Sequence, residues 1–199
     1  MSSTQFELQR KRADNAFIKM LSIMTNELAL QGVILPDDSI TLIDIGSGSM
    51  QYGFALERWA NQKAERVRII AIDGDYTPSY YFHPRDTVLG QSSIEQLPGH
   101  VEEALPMLKR LGVEKIDLAT LFNPDLHEPF PNISSLDELC RFPVIGVPAF
   151  TSDKEPLTAR LNRQGYRVKF IDNPVAREIA VGPGGFNFTY YPMFVAIPQ

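Results

Sequence analysis

The residues best suited to hold a ligand form a glycine-rich turn, Asp44-Ile45-Gly46-Ser47-Gly48, at the end of an apolar, β-branched run over residues 39–45. Glycine leaves the backbone bare, so a ligand can approach its N–H groups closely where a helix begins. A purely structural strand-to-helix turn has the same composition. The next apolar run ends in Asp73, and an acidic residue at that place accepts hydrogen bonds from ribose hydroxyls in nucleotide sites. The pair therefore favours a nucleotide-type site.

Two familiar phosphate-binding loops are excluded by the same residues. The dinucleotide pattern Gly-x-Gly-x-x-Gly needs a third glycine at the position of Gln51, and no Gly-Lys-Ser or Gly-Lys-Thr of a P-loop follows the turn. Cys140 is the only cysteine and the three histidines are dispersed, so we predict neither a disulfide nor a metal site.

Alternating strand-like and helical patterns must position these residues. We predict a doubly wound α/β fold, with an open, mostly parallel sheet of about seven strands and helices on both faces. No clear helix separates the last two strand-like runs, which favours an antiparallel pair at the C-terminal edge. Strands are predicted at 39–45, 67–72, 86–90, 115–122, 142–147, 166–171 and 186–197, and helices at 52–63, 100–111 and 154–163.

The first 38 residues are predicted to form a helical extension that packs on a single domain spanning residues 39–199. The helical pattern covers residues 3–31, as one helix or as two helices with a break near residues 13–15. A net charge of -5 without a basic stripe argues against a nucleic-acid partner. No apolar stretch has the length of a membrane helix and no secretory signal is visible, so we expect a cytoplasmic protein.

Taken in chain order, these segments resemble the class I S-adenosylmethionine (SAM)-dependent methyltransferases. The turn from Asp44 to Gly48 resembles the first motif of that family, and Ile72-Asp73 resembles the second. The resemblance spans about residues 39–197 and implies a Rossmann-like fold, SAM as the cofactor, and methyl transfer to a small-molecule or protein acceptor. Further segments resemble the part that borders the adenine ring (88–98), the fourth strand with the motif facing the reacting methyl (115–124) and the crossing into the final antiparallel pair (161–168).

The resemblance also implies roles for individual residues. Gly46, Ser47 and Gly48 would approach the amino acid portion of SAM, and Asp44 would orient the turn or meet the ammonium group. Asp73 would take the ribose hydroxyls. The residues implied at the adenine are Asp75, Tyr76, Ser92 and Ser93, and the catalytic candidates are Asn123 and His127, with His83 and His100 as weaker candidates for a general base.

Two departures from the family pattern keep an alternative open. Met50 stands where glycine is usual, and Gln91 and Ser92 stand where the third-strand motif commonly carries an acidic residue. These departures favour a catalytically reduced SAM- or nucleotide-binding domain that acts as a regulator or interaction partner. A Rossmann-like protein for another nucleotide is a third reading, which Gln51 disfavours.

Overall fold

A single mixed sheet organises the part of the chain that the computed structural model describes, residues 3–47, 52–74, 92–122, 124, 126, 130–148, 150–177 and 192–199. Its strand order is β3-β2-β1-β4-β5-β7-β6. The first five strands run parallel, and β7 is antiparallel to both of its neighbours, which confirms the predicted fold class. The strands are β1 (Ser39–Ile45), β2 (Arg66–Asp73), β3 (Ser92–Pro98), β4 (Leu118–Phe122), β5 (Val144–Val147), β6 (Tyr166–Ile171) and β7 (Met193–Pro198).

The central strand β1 lies between β2 and β4, where the strand order reverses. Its apolar side chains alternate between two hydrophobic clusters, so that Leu42 packs on one face of the sheet and Ile43 on the other. Ile45 pairs with Ile72 of β2 and with Leu121 of β4. The carboxyl ends of β1, β2 and β4 therefore meet at one edge, where doubly wound sheets bind their ligands.

In the described part of the chain, four α-helices cover the two faces: α1 (Ser3–Leu30), α2 (Gly53–Ala60), α3 (Val101–Arg110) and α4 (Lys154–Arg163). Helix α1 is continuous, which decides between the one-helix and two-helix readings. Helices α1 and α2 pack in the hydrophobic cluster on one face of the sheet, and α3 and α4 pack in the hydrophobic cluster on the other face. None of the described helices is both long and apolar enough to cross a membrane. From residue 11 onward, the buried apolar residues of α1 are Ala13, Ala16, Phe17, Met20, Leu21, Met24 and Leu28.

The third strand is Ser92–Pro98, a segment that the sequence pattern did not identify as a strand. The strand predicted at 86–90 lies outside the described residues. Parallel pairing sets Ser92 beside Val67 and Pro98 beside Asp73. The amino end of β3 thus lies at the edge of the sheet opposite to the ligand-binding edge.

Candidate functional site

The glycine turn is fixed to the neighbouring strand. The amides of Gly46 and Ser47 both donate to the carbonyl oxygen of Ile72, at N···O distances of 2.8 and 3.3 Å. Gly46 has φ +68°, a backbone angle that favours glycine, and a Cβ placed on it would meet no atom of the described residues within 4 Å. The predicted approach of a ligand at Gly46 can therefore use this open space, whereas the two amides are already engaged by β2.

Asp44 is completely buried at the end of β1 and makes two side-chain hydrogen bonds. Its Oδ1 accepts from the Thr120 hydroxyl of β4 at 2.6 Å, and its Oδ2 accepts from the Tyr52 hydroxyl at 2.8 Å. Tyr52 is the N-cap residue of α2, just after the turn. The carboxyl group thus links β1, β4 and α2, which supports the orienting role for Asp44 over direct contact with a ligand.

Burial raises the pKa of Asp44 to about 7. The hydrogen bonds from Thr120 and Tyr52 act in the opposite direction by stabilising the anion, and the negative charge of Asp73 adds to the increase. Burial likewise raises the pKa of the Tyr52 hydroxyl, with the charge of Asp44 as a further cause. The end of β1 therefore holds an acidic group that can gain or lose a proton near neutral pH.

This pKa predicts how the stability of the fold depends on pH. The unfolded chain ionises Asp44 near pH 3.8, whereas the folded chain keeps the proton until about pH 7. The contribution of Asp44 to stability is therefore greatest below pH 3.8 and falls as the pH rises to 7, by up to about 1.4 kcal/mol per pH unit. Asp44→Asn removes the titration while keeping the shape, so urea unfolding from pH 4 to 8 should show a flatter profile for the variant. Parallel profiles would contradict the assignment.

Asp73 lies at the carboxyl end of β2, beside the turn. Its backbone carbonyl accepts from Gly99 N at 3.0 Å, which joins the end of β2 to the residue that follows β3. The next residue, His100, packs its imidazole on Gly74, where an added Cβ would lie 2.5 Å from Cε1 of the ring. An exposed imidazole thus lies against the residue that follows the candidate ribose-binding Asp73. The sequence offered His100 only as a weak general base, because β3 was not recognised.

Two of the predicted site residues lie at the wrong edge of the sheet. Ser92 pairs with Val67 and Ser93 pairs with Arg68, at the amino ends of β3 and β2. Six residues separate Val67 from Asp73, which corresponds to about 20 Å along a strand. The backbone positions of Ser92 and Ser93 therefore exclude them from the adenine side of this site, and the residues that follow the carboxyl end of β3 are Gly99 and His100.

Of the other nine predicted site residues, four are described by the structure and five lie outside the described part of the chain. Asp44, Gly46, Ser47 and Asp73 come together at the carboxyl edge of the sheet, as described above. The remaining five predicted site residues lie outside the described residues. These are Gly48, Asp75, Tyr76, Asn123 and His127.

Solved structures of other proteins have a similar architecture. The precorrin-6y C5,15-methyltransferase of Geobacter metallireducens GS-15 is 15% identical, with a TM-score of 0.50 over 82% of this chain and 82% of that one. The METTL16 methyltransferase domain is 15% identical, with a TM-score of 0.52 over 81% of this chain and 60% of that one. This chain therefore has the Rossmann-like fold of the class I SAM-dependent methyltransferases. No protein-family model and no curated protein matches the sequence.

The same fold occurs in a protein named for another reaction. The [4+2]-cyclase SpnF is 14% identical, with a TM-score of 0.52 over 84% of this chain and 78% of that one. A fold carries no single chemistry, so the function must be argued from the site.

Proposed function

We propose that this chain binds SAM across the carboxyl ends of β1 and β2 and transfers the methyl group to a small-molecule or protein acceptor. The observation that carries the proposal is the placement of Asp73 beside a glycine turn, at the point where the strand order of the sheet reverses. The methyltransferase fold supports the choice of SAM over other nucleotides, as does Gln51 at the position that a dinucleotide turn gives to glycine.

Three of the described site residues have a role in the proposed binding of SAM. The open side of Gly46 would receive the amino acid portion of SAM, and Asp73 would accept hydrogen bonds from the ribose hydroxyls. Asp44 would hold the turn in place through Tyr52 and Thr120. Beyond the described residues, we retain Gly48 at the amino acid portion and Asp75 and Tyr76 at the adenine.

Methyl transfer requires little of the protein beyond the correct positioning of the acceptor and SAM. The acceptor's lone pair forms a bond to the methyl carbon while the carbon–sulfur bond breaks, and that electron pair returns to sulfur to give S-adenosylhomocysteine (SAH). Alignment of acceptor, methyl carbon and sulfur supplies most of the rate, and a base is needed only where the acceptor must lose a proton. Asn123 and His127 follow β4 in the chain, so we retain them as candidates to hold or deprotonate the acceptor.

Calorimetric titration with SAM, SAH and NAD tests the cofactor directly. Binding of SAM and SAH without binding of NAD is the expected result. If neither sulfur compound binds at near-millimolar concentration, the proposal is wrong. Transfer of a labelled methyl group from SAM to components of a cell extract then tests catalysis.

A second candidate function is a SAM-binding regulator without methyl transfer. Met50 in the turn, where the family usually has glycine, favours it. This candidate predicts binding of SAM and SAH with no labelled product from any extract, so the same two measurements separate it from the enzyme.

A further inference from the structure

Three aromatic rings from different elements meet beside the turn. Phe17 comes from α1, Tyr52 from the start of α2 and Phe122 from the end of β4, and all three are buried. Their ring centroids lie 5.1 to 5.2 Å apart, at tilted and edge-on angles that aromatic pairs favour. This aromatic cluster joins the N-terminal helix to the ligand-binding edge of the sheet.

The cluster contains the residue that holds the exit of the turn. The Tyr52 carbonyl accepts the Leu56 amide at 2.9 Å as the first turn of α2 forms, while the Tyr52 hydroxyl donates to Asp44. The entrance of the turn is held separately, by the amides of Gly46 and Ser47 on β2. Moving the Tyr52 ring would therefore move the exit of the turn and leave its entrance in place.

We infer that Tyr52 is a positioning residue for the glycine turn, which would bind the cofactor. We infer also that helix α1 contributes to this positioning through the contact of Phe17 with Tyr52. The inference rests on the proposed function, because it concerns SAM and SAH affinity at that turn. The ring of Phe17 presses Tyr52 into the orientation in which its hydroxyl reaches Asp44. Cofactor affinity then depends on α1, a helix that precedes every strand of the sheet.

The first test removes only the hydroxyl. Tyr52→Phe keeps the ring in the aromatic cluster but loses the hydrogen bond to Asp44, and SAH affinity measured by calorimetry should fall about tenfold. Tyr166→Phe is the matched control. Tyr166 is likewise a buried tyrosine, but it lies at the opposite edge of the sheet, and its hydroxyl has no hydrogen-bond partner in the described structure. SAH should bind this variant as it binds the wild type.

The second test concerns α1. Phe17→Leu keeps an apolar side chain but removes the ring that contacts Tyr52, so SAH affinity should fall. The control is Leu28→Ala, which also damages the buried face of α1 but lies eleven residues along the helix, about 16 Å away. Near that end, Lys169 of β6 donates to Glu27 of α1 at 2.6 Å. If destabilised packing of α1 were sufficient to weaken binding, Leu28→Ala would weaken it equally.

A readout without cofactor tests the link between Tyr52 and Asp44. The groups facing Asp44 are the hydroxyls of Tyr52 and Thr120 and the carboxylate of Asp73. Loss of the Tyr52 hydroxyl should raise the pKa of Asp44 further. The free energy of unfolding of Tyr52→Phe should therefore decrease with pH up to a higher pH than in the wild type. Tyr166→Phe should follow the wild-type profile.

The outcomes separate the inference from the proposed function. Absence of SAM and SAH binding by the wild type overturns the proposed function, and the inference with it. Normal binding by the wild type together with unchanged SAH affinity in Tyr52→Phe overturns the inference alone. Weaker binding by Tyr52→Phe and Phe17→Leu, with both controls unchanged, supports it.

Discussion

Replacing Asp73 with alanine should weaken SAH binding about a hundredfold. The carboxylate lies at the carboxyl end of β2, where it would accept two hydrogen bonds from the ribose. Hydrogen bonds to a charged group contribute about 1.5 to 3 kcal/mol each, and a loss of about 3 kcal/mol lowers affinity by slightly more than a hundredfold. Calorimetry or displacement of a fluorescent SAH analogue measures the change.

Asp37→Ala provides the control for the loss of one negative charge. Asp37 is exposed and precedes β1, so it lies at the opposite edge of the sheet. We expect its substitution to leave SAH affinity unchanged. Equal affinity in wild type and Asp73→Ala would refute the ribose role, although SAM binding elsewhere on the protein would still be possible.

Gly146→Ala should destabilise the fold by about 3 kcal/mol or more. A Cβ on Gly146 would lie 1.8 Å from the carbonyl oxygen of Leu121 and 2.9 Å from Cε1 of Phe194. β5 is paired on both sides, with β4 and β7, so its backbone cannot move away without breaking a strand pair. The midpoint of urea unfolding, followed by circular dichroism, measures the loss, and failure to obtain soluble protein would agree with it.

Ile145→Val, one residue earlier in β5, distinguishes this clash from general sensitivity of the core. It removes one methyl group and should cost about 1 kcal/mol. A Gly146→Ala protein as stable as Ile145→Val would show that the close approach of β5 to β4 is not required.

The sequence predicted the strands with an apolar run or a clear alternation and the helices with an unambiguous pattern. The bounds predicted for β1, β6 and α4 agree with the structure, and those of β2, α2 and α3 differ only at their ends. β-branched residues over 39–45 identify β1, because a strand buried on both faces needs an uninterrupted apolar run. From β1 and β2, the positions of Asp44 and Asp73 followed directly.

The third strand was missed for the opposite physical reason. Ser92–Pro98 is an edge strand with a polar composition and little periodicity, whereas the other edge strand, β6, keeps the alternation of Tyr166, Val168 and Phe170. Without its bounds, Ser92 and Ser93 were assigned to the ligand side and Gly99-His100 was not. Because β3 was missed, Ser92 and Ser93 were placed at the carboxyl ends of the strands, whereas they lie at the amino ends of β3 and β2.

Tyr52 could not be found from its position in the sequence. A tyrosine eight residues after an aspartate has no pattern that indicates a hydrogen bond between them. The contact arises because the start of α2 lies beside the end of β1 in the folded chain. The sequence likewise left open whether α1 is one helix or two, and the packing of its Phe17 on Tyr52 is visible only in the fold.

The packing of His100 on Gly74 has a consequence for the evolution of this site. The imidazole fills the space that any side chain at position 74 would need, with ring atoms 2.5 to 3.2 Å from an added Cβ. In related sequences, these two positions should therefore covary: a larger residue at position 74 should be accompanied by a smaller one at position 100. Such a lineage would replace the imidazole that follows β3 by a side chain at the position that follows Asp73.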